Sequence, residues 1–354
     1  MSRRLSLFLL ASMLGGGWLY FGGSPQPAPT QNPFGQSAGS GNSPLTSIRN
    51  FLAAPLAATP ATPAAPSPIA FAGGPTIRIA SFNIQVFGDA KGAKPYLMQT
   101  LALAVRNFHI VAVQEIRSQN DYLLDVFLRD YVNSGGRYYD YVIGPRLGRS
   151  NSKEQYAFIY DTTAIEVNRQ AIYTVNDPQD LLHREPLVAL FRVRGPASDQ
   201  AFTFVLANVH TDPDEVGEEV DTLADVYHAV RQSSGGEDDV IILGDFNVDD
   251  RHLGRLGQIP GVRPIVRGVF TNTRQTALYD NFIVHQPSTA EFTGRWGVFD
   301  IRTLVNPPLT LDQALEVSDH LPIWAEFSAY ESAAPGRVAS RPGSSAAPTA
   351  TSPR

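Results

Sequence analysis

The 354-residue chain has no cysteine at all. That excludes disulfide bridges, thiolate nucleophiles and cysteine-ligated zinc together. Basic charge is scarce as well, with 28 Lys and Arg against 34 Asp and Glu and a net charge of −6. Such a balance argues against a protein held on a polyanion by bulk positive charge, though not against one that touches it through a few arginines. No internal repeat occurs at solenoid periods. Charges are also missing from the start of the chain: the first 75 residues carry only Arg3, Arg4 and Arg49. Residues 76–330, in contrast, carry 22 Lys and Arg and 33 Asp and Glu, a balance of −11. Hydrophobic residues make up 43% of the whole, the ordinary content of a globular protein long enough for one large domain or two small ones.

Composition divides the chain into four stretches. Arg3 and Arg4 precede an uncharged apolar run to Gly23, which reads as an export signal or a signal-anchor helix at 1–23. No cysteine follows it, so a lipoprotein anchor is excluded, and the two arginines predict that everything downstream crosses the membrane. Residues 24–75 are rich in Pro, Ala, Ser, Gly and Thr and cannot bury a core, so they read as a flexible tether with a short helical patch at 47–54. The tail, 331–354, has similar composition and reads as disordered.

Between them, 76–330 alternates strand and helix patterns. Strands are predicted at 77–82, 110–116, 139–143, 156–160, 187–193, 202–209, 240–243, 278–284 and 323–327, and helices at 96–108, 121–132 and 218–231. Short apolar runs bounded by turn residues fit sheets covered on both faces, an α/β or α+β class in one domain.

The strands stop in a telling way. Phe82-Asn83 ends the first, Gln114-Glu115 the second and Asn208-Val209-His210 a middle one. Gly244-Asp245-Phe246-Asn247 follows Ile241-Ile242-Leu243, Tyr279-Asp280 opens a late strand, and Ser318-Asp319-His320 precedes the last. Each has a local explanation: a capped turn at Asn83, a Glu115–Arg117 pair, Asp245 and Asn247 bonded to nearby backbone, a satisfied core histidine at 210, a cap or surface pair at 318–320. Carboxylates at the ends of buried strands are costly unless a cation or a hydrogen-bond partner compensates them. Six such ends in order therefore predict a cleft that takes a hard divalent ion.

This ordered set resembles the endonuclease/exonuclease/phosphatase superfamily over 77–327, with Gly244-Asp-Phe-Asn247 and Ser318-Asp-His320 as its strongest signals and Ser81-Phe-Asn83-Ile and Gln114-Glu115 completing it. Within it, several segments resemble the deoxyribonuclease I-like branch: Ser81-Phe-Asn-Ile-Gln-Val-Phe-Gly88, Val113-Gln-Glu-Ile-Arg117, Pro145-Arg-Leu-Gly-Arg149 with Lys153-Glu154-Gln-Tyr156, Arg184-Glu-Pro186, Asp225-Val-Tyr227 and Leu278-Tyr-Asp-Asn-Phe-Ile-Val284. The Trp-Thr-Asp-Arg pattern of inositol-polyphosphate 5-phosphatases and the Trp-Asn pattern of abasic-site endonucleases are absent.

The resemblance implies a four-layer sandwich of two packed mixed β-sheets flanked by helices, and a Mg2+-dependent hydrolase acting on phosphodiesters, with Mn2+ or Ca2+ able to substitute or assist. It places Asn83, Glu115 and Asp319 around the metal. His210 and His320 flank the scissile phosphate, oriented by Glu154 and Asp280 respectively. His320 is expected to activate water and His210 to protonate the leaving oxygen, with the reverse assignment open. Asp245 and Asn247 hold the phosphate, the nucleophile or a second metal. Arg117, Arg149 and Arg184 contact the DNA backbone and minor groove, which positions a substrate without reading sequence.

Two departures stand out: Ser152 replaces the minor-groove tyrosine of the branch, and Gln85 replaces an arginine just after Asn83. The calcium loops of the animal enzyme do not carry over without its disulfides. The threonines of 268–276 are candidate phosphate contacts. The expectation is an exported, monomeric endonuclease acting on DNA with little sequence preference, extracellular, periplasmic or anchored to the cytoplasmic membrane, with no protein partner and the membrane as partner only if the N-terminal segment stays uncleaved. A phosphatase or phospholipase C-type hydrolase of the same fold (sphingomyelinase- or inositol phosphatase-like) and a non-catalytic binding module are the competing readings.

Overall fold

The computed structural model describes residues 75–136, 138–149 and 153–332. The export segment, the tether with its patch at 47–54, the tail from 333 onward and Ser152 lie outside the described residues. Among the described residues no helix is long and apolar enough to cross a membrane.

The strands are β1 (Thr76–Phe87), β2 (Ile110–Ile116), β3 (Tyr139–Ile143), β4 (Gln155–Asp161), β5 (Ile165–Thr174), β6 (Leu187–Val193), β7 (Thr203–His210), β8 (Val240–Asp245), β9 (Val262–Pro264), β10 (Asp280–His285), β11 (Phe292–Val298) and β12 (Ile323–Ser328). The helices are α1 (Asp89–Gly92), α2 (Pro95–Val105), α3 (Leu123–Phe127), α4 (Val216–Ser233), α5 (Gly254–Gln258) and α6 (Leu311–Val317).

Two six-stranded mixed sheets result, in the orders β11-β12-β1-β2-β4-β3 and β5-β6-β7-β8-β10-β9. Each has one parallel pair at its centre, β1 with β2 and β7 with β8, and antiparallel neighbours elsewhere. A parallel pair needs a crossover, which α2 and α4 supply. Successive side chains on a strand face opposite ways, so each central strand feeds two cores. Ile79, Ala112, Phe158, Phe204, Leu243 and Phe282 pack between the sheets. On the outer face of one sheet Phe82, Val111 and Val113 meet Leu97, Met98 and Leu101 of α2, and on the other Val205, Ala207 and Ile242 meet Leu223, Tyr227 and Val230 of α4. The layers run helix, sheet, sheet, helix. Each large apolar side chain removed from water contributes roughly 1.5–3 kcal/mol, which makes the inter-sheet layer the main support of the strand ends.

The predicted helix at 121–132 is shorter than expected. Only Leu123–Phe127 is α-helical, and Leu128–Val132 continues as a wider π turn. The late strand begins at Asp280 rather than 278. Strands β5 and β11 and the helix α6 were not anticipated. Both strands carry mostly half-buried or exposed positions, which weakens the apolar signal.

The topology fixes where function sits. Parallel strands β1, β2, β7 and β8 run towards one edge of the sandwich, and the antiparallel strands β4, β10 and β12 start from it. Glu115, His210 and Asp245 lie at the ends of the first group, and Asn83 lies four residues before the end of β1, which runs past the predicted stop at 82–83 to Phe87. Glu154, Asp280 and His320 introduce the second. In α/β folds the carboxyl ends of parallel strands are the usual place for a ligand.

Candidate active site

Two breaks in the sheet shape the site. The β1–β2 register shifts between Asn83 and Phe87, and the β2–β4 register shifts between Val113 and Ile116. Bulges of this kind re-aim side chains. At the bulges Val86 has φ +51° and Glu115 φ +62°, left-handed backbone that such residues rarely adopt, and Asn247 has φ +51°. Strain of this type costs about 1–3 kcal/mol per residue and persists where surrounding contacts enforce it. Here Val86 N donates to Glu115 Oε2 at 2.8 Å, and Asn247 N donates to Asp245 Oδ1 at 3.0 Å. Gly244 is required by its setting: at φ +151° a Cβ would lie 1.9 Å from the Val209 carbonyl oxygen.

Beneath the site the two sheets are joined by a fully buried amide bridge. Gln114 Nε2 donates to Asn208 Oδ1 at 2.6 Å, and Asn208 Nδ2 donates to the carbonyls of Val113 and Ala157. These polar groups are satisfied, so they hold the strand ends in place without a desolvation cost left over.

Above it, Asn83 Nδ2 donates to Glu115 Oε1 at 3.2 Å and to Asp245 Oδ2 at 3.0 Å, linking one sheet to the other. Its Oδ1 accepts from Gln85 N. The side chain expected to offer an oxygen to a metal thus presents its nitrogen to two carboxylates. Ser318 Oγ donates to the Asn83 carbonyl and accepts from His320 N, which ties the last loop to the first strand.

Both histidines carry a carboxylate on Nδ1. His210 Nδ1 lies 2.7 Å from Glu154 Oε1, and His320 Nδ1 lies 2.9 Å from Asp280 Oδ2. Their Nε2 atoms turn to one oxygen, Asp245 Oδ2, at 3.7 and 3.4 Å. Burial alone would lower both imidazoles. Glu154 outweighs it and raises His210, and Asp280 with Asp245 raises His320 well above the usual histidine range. Burial would raise Glu154, yet His210, Arg184 and Arg117 hold it below the usual carboxylate range. A carboxylate on Nδ1 leaves Nε2 free to exchange a proton with a substrate.

Asp319 lies beside this group. Burial raises its carboxyl, His320 opposes the shift, and Glu115 and Asp245 add to it. Its Oδ1, like Asp280 Oδ1, is buried with no hydrogen-bond partner among the described residues. Lys91 donates to the carbonyls of Ile84, Gln85 and Val317. Burial lowers its ammonium to about 8, against the pull of Asp319 and Glu115. Orphaned buried oxygens on Asp319 and Asp280, with Glu115 and Asp245 adding negative charge around Asp319, are the kind of donor set that suits a hard, oxygen-seeking cation.

The arginines separate into different settings. Arg117 sits within the site, 2.9 Å from Glu115 Oε2 and 3.5 Å from Glu154 Oε2. Arg184 is buried, with Nε 3.2 Å from Glu154 Oε1 and Nη1 donating to the His210 carbonyl. These contacts make it a support for Glu154 and for the end of β7. Arg149 is exposed and pairs with Asp180 and Glu215. Of the threonines of 268–276, Thr271 and Thr273 spend their hydroxyl hydrogens on internal acceptors, while exposed Thr276 only accepts. Thr271 donates to Asp280 Oδ2 at 2.7 Å, Thr273 to the Ser318 carbonyl, and Thr276 accepts from Asn272. The sequence marks Thr271 as a candidate phosphate contact without signalling its bond to Asp280, and Lys91 escaped the sequence reading because a lysine on a short helix signals no partner. Tyr156 escaped it too: its hydroxyl accepts from His210 N at 2.9 Å from inside the core.

Comparison with known proteins agrees with this arrangement. Residues 80–320 match the Endonuclease/Exonuclease/phosphatase family. Deoxyribonuclease gamma of Rattus norvegicus is 30% identical over 285 residues, covering 75% of this chain and 88% of the relative. Deoxyribonuclease-1-like 1 of Homo sapiens is 31% identical over 266 residues, covering 72% and 85%. Among solved structures, the endonuclease/exonuclease/phosphatase from Bacteroides vulgatus has the same fold, with a TM-score of 0.50 at 15% identity over 72% of this chain and 99% of that one. The chain belongs to the Endonuclease/Exonuclease/phosphatase family, on its deoxyribonuclease I-like side.

Proposed function

We propose that this chain is a metal-dependent phosphodiesterase that cuts DNA with little sequence preference. The observation carrying this reading is the convergence of two carboxylate-backed histidines on Asp245 Oδ2, beside the acidic pair Glu115 and Asp319. Similarity to the deoxyribonucleases favours DNA as substrate. A non-catalytic module has no need of this set.

Hydrolysis requires a water to lose a proton as it attacks phosphorus and the leaving oxygen to gain one. The neutral form of His320, which the fields of Asp280 and Asp245 disfavour before a phosphate and a cation are bound, accepts the proton from water at Nε2. Asp280 holds its Nδ1–H and stabilises the imidazolium formed. The new P–O bond forms as the P–O bond to the leaving oxygen breaks. His210 Nε2, charged beforehand by the field of Glu154, delivers its proton to that oxygen. Asp245 keeps both imidazoles facing the reacting phosphate, and Asn247 closes the same edge by donating to the Thr211 carbonyl. Arg117 restrains Glu115 and Glu154 and adds positive charge at the phosphate. A hard divalent cation held by Glu115 and Asp319 would offset phosphate charge, stabilise the leaving oxygen and relieve the carboxylate field on the histidines. Magnesium is the cation proposed, with manganese or calcium able to replace it.

The substrate preference is tested by offering the full-length chain supercoiled plasmid, sphingomyelin vesicles and a phosphomonoester, each with Mg2+. Plasmid nicking with the other two untouched supports this reading, and lipid or monoester turnover with intact plasmid overturns it. We further propose that 76–330 forms the catalytic domain of an exported protein, as expected from the arginine-led apolar segment at 1–23.

A further inference from the structure

A second carboxylate cluster lies at the opposite end of the strands that carry the active site. β8 ends at Asp245 and is preceded by Asp239, and six residues of strand span roughly 20 Å. β10 starts at the catalytic edge with Asp280 and leads to Thr289 and Glu291, and β12 follows His320 and leads to Glu331. One carboxylate oxygen each from Asp239, Glu291 and Glu331 lies within 4.8 Å of the others.

Two of these side chains are deep in the protein, Asp239 and Glu291 both being 2% exposed. Their backbone-facing needs are partly met: Glu291 Oε1 accepts from Ser332 N at 2.6 Å, and Glu331 Oε1 accepts from Thr203 N at 2.8 Å. The remaining oxygens are not. Asp239 Oδ1 and Glu291 Oε2 are buried with no hydrogen-bond partner among the described residues. Thr289, 3% exposed, has its hydroxyl buried beside Asp239 with no hydrogen-bond partner among the described residues. Among the described residues no Lys, Arg or His makes an ion pair with Asp239, Glu291, Glu237 or Glu331. Unpaired buried carboxylates of like charge are among the most costly arrangements a protein can hold.

We propose that this cluster is a structural divalent-cation site, of calcium type, formed by Asp239, Glu291 and Glu331 with Thr289. Oxygen-only ligands, several of them charged and placed by flexible turns, suit Ca2+, which accepts six to eight oxygens at about 2.3–2.6 Å in irregular geometry. Mg2+ asks for a smaller regular octahedron and keeps its waters. The site fastens the segment after β12 of one sheet to the start of β8 in the other. The segment after β12 is already bonded to two neighbours, from Glu331 N to the Gln200 carbonyl ahead of β7 and from Ser332 N to Glu291 Oε1 ahead of β11. Without a cation the charge is relieved by protons: burial and Glu291 push Asp239 up to about 9, and burial raises Glu291.

The proposal is independent of the phosphodiesterase reading, and its test does not use activity as the signal. Calcium binding to the full-length chain is measured by titration calorimetry, and thermal unfolding is followed with Ca2+, with Mg2+ and with chelator. We expect the Asp239→Asn/Glu291→Gln chain to lose one Ca2+ equivalent relative to wild type. Wild type should melt roughly 5–10 °C higher at a Ca2+ concentration 100 times Kd, and the double variant should lose that rise. Both substitutions remove like-charge repulsion, so the variant should fold without calcium. Glu331→Gln, at the outer side of the cluster, serves as the milder variant and should weaken Ca2+ binding at least tenfold. Equal Ca2+ stoichiometry and an equal thermal response in wild type and double variant overturn the site and leave a proton-sharing carboxyl pair.

Discussion

His210 and His320 arrive from different sheets and aim their Nε2 atoms at the same oxygen, Asp245 Oδ2, at 3.7 and 3.4 Å. Neither imidazole is free to turn, because each Nδ1 is held by its own carboxylate. A phosphate sitting between them has a proton acceptor on one side and a donor on the other.

Removing either imidazole should lower plasmid-nicking kcat by about 10²–10⁴-fold, the usual contribution of a positioned acid or base. His210→Ala with His320→Ala should cost little more than the worse single variant, because the two act in one proton circuit. Rates that multiply in the double variant, measured by gel relaxation of supercoiled plasmid, would contradict a shared step.

The pH profile of Glu154→Gln tests which histidine is the acid. His210 in the folded protein is raised above its ordinary value by Glu154 against burial, so it stays charged until pH rises through that raised value. A general acid must be charged, and loss of Glu154 leaves only the weaker pull of Asp245 against burial. The basic limb of kcat should therefore move to lower pH. Movement of the acidic limb instead would assign His210 the role of base.

The same pair bears on stability. His210 is raised and Glu154 lowered relative to their ordinary values of 6.5 and 4.5. The histidine contribution is complete below about 6.5 and fades as pH rises through the raised value, while the glutamate contribution is complete above about 4.5 and fades as pH falls through the lowered value. Both are fully present between those limits. The wild-type advantage over Glu154→Gln in urea unfolding should be widest there.

Thr271 acts on the chemistry through Asp280, to which its hydroxyl donates at 2.7 Å. Thr271→Val should cost about 1–3 kcal/mol of stability, because it removes one of the two donors to Asp280 Oδ2 and the acceptor that Thr271 Oγ1 offers to the Tyr279 and Asp280 N–H groups. It should also lower kcat several-fold with KM unchanged, and Thr271→Ser should restore kcat. A KM effect alone, or no rescue by serine, would remove Thr271 from this positioning role.

Arg184 and Arg149 should respond in opposite ways. Arg184→Ala leaves buried Glu154 with less compensation and should destabilise the fold by roughly 3 kcal/mol, whereas Arg149→Ala should fall within about 0.5 kcal/mol. If Arg149 touches a DNA phosphate, its loss should instead flatten the salt dependence of plasmid binding by about one counterion. Chemical unfolding and filter binding at several salt concentrations separate the two.

Much of this site is written in the sequence because strand ends are. Asn83, Glu115, His210 and Asp245 each interrupt a buried apolar run, and a polar residue in such a place has few bland explanations once it recurs. The central strands were legible for the same reason: β2 is buried at every position, and its predicted bounds match those observed. β11 was not, since it carries Gly294 and Gly297 and no position below the half-buried range. What the sequence hides is three-dimensional direction. The bulge that turns Glu115 inward at φ +62°, the burial of Arg184 against Glu154 and the Thr271–Asp280 bond all depend on which segments the fold brings together. Residue type and spacing do not encode them.

The central claim, hydrolysis by two histidines beside a metal-binding acidic pair, is tested most directly by plasmid relaxation with full-length protein. The account predicts nicking with Mg2+ that stops on chelation, returns when Mg2+ is restored, and is reduced at least 100-fold in a folded His320→Ala chain. Nicking that persists in chelator, or that His320→Ala leaves at wild-type rate, would contradict it.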